Sequence, residues 1–301
     1  MKFYSNGKLL ITSEYLVLDG AKALALPTKY GQDLIINSTL NNKKVLNWNS
    51  FDLKGDIWFN CKLELPSLEL LNYSNFEIAK TLQKILLESK KLNKYFLQTN
   101  DEINIKTNLN FYRNWGLGTS STLINNIASW ANINAFDLQF KIFGGSAYDI
   151  ACAQNNKPIL YKLNEGIPIV KKVEFNPIFK EKLFFIHLNK KQNSRDAIKY
   201  YKNKTISNSV ISEISNITDS IINCKTLSEF EFLINNHENI ISSIINKKTI
   251  KNRLFNDYIG QIKSLGAWGG DFILATGNEK TISYFKNKGF QTVISYSDLI
   301  I

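Results

Sequence analysis

Cysteine and histidine are scarce in this 301-residue chain, which has three of the first and two of the second. Cys61, Cys152 and Cys224 lie far apart, so both the even count of a disulfide framework and the paired spacing of a zinc site are missing; reduced, buried thiols are expected. His187 sits in a strand-like run and His237 in a helical pattern, and both are read as hydrogen-bonded structural histidines. No apolar run approaches the roughly 20 residues of a membrane span, so no membrane partner is expected. Residues Met1 to Ser5 lead straight into patterned sequence without the apolar region and small-residue cleavage site of a secretory signal, and a cytoplasmic location is expected. Long single-sign charge runs are absent too. The net charge of +11 comes from short, scattered clusters such as Lys171-Lys172, Lys190-Lys191 and Lys247-Lys248. Such a surface favours small anionic ligands and gives no nucleic-acid footprint.

What is present is the composition of an ordinary globular protein, 44% apolar and 21% charged, in a chain long enough for two lobes that each bury a core. The first half reads as short strands, among them Leu9-Leu10-Ile11, Leu34-Ile35-Ile36 and Ile103-Asn104-Ile105, bounded by Gly, Asn and Asp. In the second half Ile206, Val210, Ile214, Ile217 and Ile221 line one face of a helix, and Phe230, Leu233, Ile234, Ile241 and Ile244 line another. Strand-like segments at 183–188, 272–275 and 292–296 flank these helices, which gives an α+β architecture. A boundary is expected where Asn164-Glu165-Gly166, Pro168 and Pro177 interrupt the pattern, dividing the chain into 1–165 and 166–301.

Four glycine-bearing or polar segments carry the chemistry. In Asn114-Trp115-Gly116-Leu117-Gly118-Thr119-Ser120-Ser121-Thr122, glycines bring the backbone close to a ligand, and three hydroxyl residues stand where the helix Leu123 to Trp130 begins. The free N–H groups and dipole of such a terminus attract phosphate, and a serine hydroxyl can ligate Mg²⁺. A plain glycine turn with Ser/Thr caps would use the same residues. Neither the GxxxxGK[ST] nor the GxGxxG spacing is present. The segment Gly7 to Gly20 places Lys8 and Glu14 among strand-forming residues, where a surface lysine and a capping or hairpin glutamate are the simplest roles. The segment Phe143-Gly144-Gly145-Ser146-Ala147-Tyr148-Asp149 sets a carboxylate behind a flexible loop, able to accept a substrate proton or to cap the helix that follows. Lys263-Ser264-Leu265-Gly266-Ala267-Trp268-Gly269-Gly270-Asp271 is a further glycine loop ahead of a strand.

Taken in this order, the first, second and last segments along the chain resemble the three motifs of the GHMP kinase superfamily: the N-terminal motif, the ATP-phosphate loop usually written PxxxGLGSSAA, and the C-terminal glycine motif. The resemblance spans residues 2 to 277. It implies a two-lobed fold, an N-terminal lobe like ribosomal protein S5 domain 2 and a ferredoxin-like C-terminal lobe, with ATP and acceptor bound in the cleft between them. It also implies roles. Lys8 neighbours the acceptor hydroxyl and Asp149 orients or deprotonates it. Trp115, Gly116, Leu117, Gly118, Thr119, Ser120 and Ser121 hold the nucleotide, and Ser120 ligates Mg²⁺. Glu14, Tyr15, Gly145, Ser146, Arg195, Gly266, Ala267, Gly269 and Gly270 surround the acceptor. Phosphoryl transfer needs mostly positioning and charge neutralisation, for which such a set suffices.

Ser13-Glu14-Tyr15 resembles the GEY of phosphomevalonate kinases, Gly269-Gly270-Asp271 their GGD ending, and 18–28 the LDGAPALAVPT style of the mevalonate-pathway branch. The expected acceptor is therefore 5-phosphomevalonate, a small molecule carrying phosphate and carboxylate, with Arg113, Lys190, Lys191 and Arg195 as candidates for its phosphate. Mevalonate is the alternative. A diphosphomevalonate decarboxylase and a non-catalytic binding protein of the same fold are the remaining readings. The sequence departs from the family in lacking the proline before the phosphate loop, in Trp115, and in Trp268 replacing a motif glycine. Asp137 lies near the place of an acidic Mg²⁺ ligand but out of register. The oligomeric state is not readable from the residues, and a homodimer is one arrangement open to the chain.

Overall fold

The computed structural model describes residues 1–190, 201, 203–268 and 270–301. The chain forms two compact units, each built from separate stretches of sequence. Unit 1 comprises Met1–Gly7, Tyr30–Arg113 and Leu117–Gln154; unit 2 comprises Lys8–Lys29, Asn114–Gly116 and Asn155–Ile301. Two long strands, β1 (Lys2–Leu10) and β2 (Ala23–Thr39), contribute to both.

In unit 1 the strands β3 (Val45–Phe51), β4 (Ile57–Glu64), β5 (Leu70–Tyr73) and β6 (Glu102–Leu109) join the second half of β2 in the order β5-β4-β3-β6-β2. Most pairs are antiparallel, including β2 with β6 from Gln32↔Leu109 to Thr39↔Glu102, but β3 and β6 run parallel. Alternation decides which face is covered: Leu46 and Trp48, Phe59 and Cys61, and Ile103 and Ile105 are all buried. Helix α1 (Phe76–Leu92), capped by the Asn75 side chain on the N–H of Ile78, lays Ala79, Leu82, Ile85 and Leu86 into this core. Helices α2 (Thr119–Ala131), α3 (Ala135–Ile142) and α4 (Tyr148–Ala153) complete the layer through Ile124, Ile127, Leu138 and Ile150. Each such buried aliphatic side chain is worth about 1.5–3 kcal/mol, so apolar packing holds α2 against α4.

In unit 2 the first half of β2 pairs with β7 (Ile159–Asn164), which pairs with β8 (Ile167–Lys172). The Asn164-Glu165-Gly166 segment, where the sequence suggested a boundary, is the tight turn of this hairpin, with φ of 48° at Glu165 and 80° at Gly166. Because β7 hydrogen-bonds to Ala23–Ala25, residues 8–29 and 155–165 group with the C-terminal part of the chain. A second, antiparallel sheet has the order β10-β11-β9-β12, from β9 (Leu183–His187), β10 (Ile262–Ser264), β11 (Phe272–Thr276) and β12 (Val293–Ser295). Every residue of β9, β10 and β11 is buried, so these strands are covered on both faces; β9 and β11 are mostly apolar, whereas β10 buries Lys263 and Ser264.

Helix α5 (Asn208–Asn223) starts at a Ser207 cap, so Ile206 of the expected face lies before it. Helix α6 (Leu227–Ile245) starts at a Thr226 cap and stops at Asn246, which takes a left-handed φ of 53°. Its buried face is Phe230, Ile234, His237, Glu238, Ile241 and Ile245. Two polar residues therefore fill the stripe between Ile234 and Ile241. Three short helices, α7 (Ile250–Leu254), α8 (Lys280–Asn287) and α9 (Tyr296–Leu299), close the unit. The three cysteines are buried and free, as their spacing implied. Among the described residues no helix is long and apolar enough to cross a membrane.

Candidate active site

Unit 1 carries the helical end of the phosphate-loop segment. Leu117 is buried, and Gly118 turns the chain into α2 with a φ of 97°, a conformation that side-chain-bearing residues rarely adopt. Thr122 N–H bonds back to the Gly118 carbonyl at 3.0 Å, so the N–H groups of Thr119, Ser120 and Ser121 lie ahead of it in the unsatisfied first turn. Ser121 Oγ donates to the same carbonyl at 2.9 Å, whereas Ser120 is exposed. Behind this terminus α2 is pinned by neutral polar groups. Thr122 Oγ1 donates to Gln32 Oε1 at 2.8 Å, and Asn126 Nδ2 donates to the Gln32 carbonyl at 2.9 Å. Ser5 Oγ donates to Asn126 Oδ1 at 2.7 Å and accepts from Asn125 Nδ2 at 2.9 Å, and Gln154 Nε2 donates to Asn125 Oδ1 at 3.0 Å. Sequence reading missed this network, although a hydroxyl and two carboxamides at Thr122, Asn125 and Asn126 are an unusual set for the buried face of a helix.

Asp149 stands in the first turn of α4, after positive φ at Gly144, Gly145 and Ala147. Its Oδ1 accepts from the N–H of Ile150 at 3.2 Å, and the residue is half-buried. Ser146 is buried and Gly145 exposed. Since α4 packs on α2, unit 1 sets Asp149 and Ser120 on the first turns of two helices held by one core. Asp137 lies in the first turn of α3. Arg113 stacks its guanidinium 3.6 Å over the Trp58 ring, and partial burial there lowers its pKa.

Unit 2 brings together parts of all three motifs. Lys8 is half-buried near the end of β1. After it the chain makes a turn in which Ser13 and Tyr15 both take left-handed φ, 67° and 66°. Non-glycine residues in that region cost about 1–3 kcal/mol each, and persist only where neighbours hold them. Here His237 Nε2 accepts the Ser13 N–H at 2.8 Å and the Lys22 carbonyl accepts Ser13 Oγ–H at 2.5 Å. The turn presents Tyr15, whose hydroxyl donates to the Ala267 carbonyl in the C-terminal glycine loop at 2.9 Å. The Tyr15 ring stacks on Tyr201 at 5.3 Å, and Tyr201 in turn hydrogen-bonds the Asp19 carboxylate.

The same loop meets the start of the phosphate segment. Gly116 has a φ of 67° and lies so close to Asp271 that a Cβ there would overlap the carboxylate. Only glycine fits. Trp115, expected at the nucleotide, is buried beside it, edge-on to Phe272 at 5.6 Å and tilted to His187 at 6.4 Å. His187 is held by the Asn114 carbonyl at 3.0 Å, the structural role its sequence context suggested. Trp268 is also buried, and its left-handed φ of 55° suits the motif glycine that it replaces. Gly266 takes a φ of 62° and is half-buried, and Gly270 is buried. Lys190 is exposed, while its carbonyl accepts the Asp271 N–H at 2.7 Å. Arg195, Lys191 and Gly269 lie outside the described residues.

No protein-family model and no curated protein sequence matches the chain. Solved structures do. Methanococcus jannaschii mevalonate kinase aligns at a TM-score of 0.70 and 15% identity, covering 96% of this chain and 94% of that one. Streptococcus pneumoniae phosphomevalonate kinase, in complex with phosphomevalonate and AMPPNP, aligns at 0.70 and 13% identity, covering 98% and 99%. Lactococcus lactis galactokinase, complexed with galactose, aligns at 0.69 and 12% identity, covering 100% and 93%. The fold is that of the GHMP kinases.

Within this GHMP fold, Glu14 departs from the capping or hairpin role that its neighbours suggested. Its side chain is 0% exposed, and its Oε1 accepts from Lys263 Nζ at 2.5 Å. Lys263, also fully buried, lies 3.5 Å from Glu238 Oε1 and donates to the Ser264 carbonyl at 3.0 Å, while Ser264 Oγ donates to Glu238 Oε2 at 2.9 Å. Burial raises the pKa of Glu14, against the pull of Lys263. Burial likewise pushes Glu238 up to about 7, and pushes His237, which also faces Lys263, well below its ordinary value. Neutral His237 is consistent with its Nε2 acting as an acceptor. The signal for Lys263, His237 and Glu238 was in the sequence: a lysine opening the third motif, and a two-turn gap in the apolar stripe of α6.

Proposed function

We propose that this chain is a cytoplasmic, Mg-ATP-dependent small-molecule kinase whose acceptor belongs to the mevalonate pathway, with 5-phosphomevalonate first and mevalonate second. The observation that carries the reading is the joining of motif residues inside unit 2. Tyr15 of the first motif holds Ala267 of the third, and Gly116 of the second fits against Asp271 of the third. Glycines and strained residues are kept there for shape, in a fold whose solved relatives are kinases.

The donor set fits the nucleotide. The N–H groups of Thr119, Ser120 and Ser121 offer a cradle for phosphate oxygens, and the exposed Ser120 hydroxyl suits Mg²⁺ as one ligand among waters and phosphates. When bound, Mg-ATP supplies the phosphoryl group and neutralises much of its charge. The chain's own contribution is positioning. Asp149 accepts or orients the proton of the acceptor hydroxyl, and Lys8 offsets negative charge on the transferring group. Gly145 and Ser146 beside Asp149, and Gly266, Ala267 and Gly270 in the third motif, complete the set assigned to the acceptor.

The test is ADP release from Mg-ATP against mevalonate, 5-phosphomevalonate, diphosphomevalonate, homoserine and galactose. Turnover with 5-phosphomevalonate alone is expected. Turnover with mevalonate alone would favour the second acceptor, release of CO₂ from diphosphomevalonate would mark a decarboxylase, and silence across the panel would sink the pathway assignment.

A further inference from the structure

The stripe of α6 that faces β10 should be apolar, yet it carries His237 and Glu238, 0% and 2% exposed. Two carboxylates, Glu14 and Glu238, share one ammonium, Lys263, inside unit 2. The ionisable groups of this cluster are Glu14 from the turn after β1, Lys263 from β10, and His237 and Glu238 from α6. With His237 neutral and both carboxylates ionised, the cluster would carry a net negative charge sealed from water, which is costly in a low dielectric. One retained proton brings it to neutrality. Among the described residues Glu14 Oε2 and His237 Nδ1 are buried with no hydrogen-bond partner, and Glu14 Oε2 lies 3.5 Å from His237 Nε2, so the network is incomplete.

Each member of the cluster holds a segment of the site. His237 fixes the strained turn through the Ser13 N–H, and Glu14 lies inside that turn. Glu238 fixes Ser264, the last residue of β10 before the loop that contains Gly266, Ala267 and Trp268. Turn and loop then meet at the Tyr15–Ala267 hydrogen bond. We propose that His237 and Glu238 are positioning residues, which lock the turn Ser13–Tyr15 to the third-motif loop through one buried charge cluster whose protonation sets the geometry of that loop. The functional consequence rests on the kinase reading above; the structural consequence does not.

The experiment exploits Trp268, a buried reporter inside the loop. The whole chain is labelled with 5-fluorotryptophan, the Trp268 resonance is assigned with Trp268→Phe, and its ¹⁹F shift is followed from pH 5 to pH 9. Wild type should show a titration near neutrality. Glu238→Gln, which keeps the shape and an acceptor for Ser264 but cannot ionise, should flatten it. Ser264→Ala, which leaves the charges and cuts the link, should also flatten it, and decides the matter should Glu238→Gln fail to fold. A Trp268 titration unchanged in the folded variants, or absent from wild type, overturns the proposal. In parallel, Ser264→Ala should raise the acceptor KM by about tenfold above pH 8 while kcat stays within about threefold, the signature of lost positioning. If no acceptor of the panel is phosphorylated by wild type, the pathway reading fails, and the resonance still decides the positioning role.

Discussion

Helix α2 in unit 1 is held in place by neutral groups, a chain of hydroxyls and carboxamides through Thr122, Gln32, Asn126, Ser5, Asn125 and Gln154. The turn Ser13–Tyr15 in unit 2 is held by ions, with Lys263 between Glu14 and Glu238. Both arrangements fix a segment that the family resemblance places at the ligand. Their physics differs in what it responds to. A satisfied neutral network has no titration between pH 5 and 9, and losing one member costs a hydrogen bond or two. A buried charge cluster is strong when complete and fails badly when one partner leaves, because the remaining charges have neither water nor counter-ion. Between pH 5 and 9 the support of the turn Ser13–Tyr15 should therefore depend on pH, and the support of α2 should not.

The largest effect expected comes from removing the shared cation. Lys263→Met leaves two carboxylates in a fully buried site, and a loss of about 3–5 kcal/mol is expected at pH 8. The loss should shrink at pH 5, where carboxylates whose pKa is raised take up protons. Urea midpoints at the two pH values check this, and equal losses at both would break the contrast between the units. Next comes Glu238→Gln. Glu238 has a folded-state pKa of about 7 against an ordinary 4.5, so the native state holds its proton more tightly than the unfolded chain. That contribution is fully present below about pH 4.5 and is lost as pH rises through about 7, an amount of about 3 kcal/mol. Glutamine removes the dependence, so the variant should gain on wild type as pH rises across that window. Parallel stability curves would show that Glu238 does not titrate there.

How much of this was legible in sequence follows the same division. The helices at 119–131 and 227–245, the strands at 183–187 and 272–276 and the α+β class were legible, because periodicity and caps report directly on local structure. The grouping of 8–29 and 155–165 with the C-terminal part was not, since strand pairing between distant segments leaves no local mark. Glu14 shows the limit at a single residue. Its neighbours in sequence are those of a strand or hairpin, and its partner Lys263 is distant in the chain. Buried ion pairs are invisible to periodicity because a charged residue is ordinarily counted as exposed. The clue was negative, a lapse in the apolar stripe of α6 that a surface helix would not need.

Asp149→Asn turns the comparison toward chemistry. The substitution is nearly isosteric on the first turn of α4, and its folding free energy should stay within about 0.5 kcal/mol of wild type. Turnover should fall by roughly 10²-fold or more if the carboxylate orients or accepts the acceptor proton. Unaltered turnover would remove Asp149 from the proposed mechanism while leaving the fold untouched.

The smallest effect concerns the neutral network itself. Asn126→Ala removes the hydrogen bonds to the Gln32 carbonyl and from Ser5 Oγ, on a side chain that is 1% exposed. Ser5 keeps its contact with Asn125 Nδ2, so the loss is one hydrogen bond to the Gln32 carbonyl and one from Ser5 Oγ. Two hydrogen bonds between neutral groups are worth about 1–3 kcal/mol together, partly regained if the space left by the carboxamide admits a water. No ionisable group is touched, so the loss should be the same at pH 5 and pH 8. That invariance is the sharper half of the prediction. A loss that grew with pH would mean that the helix carrying Ser120 feels the charge state of the molecule after all, and that the neutral and ionic supports are coupled.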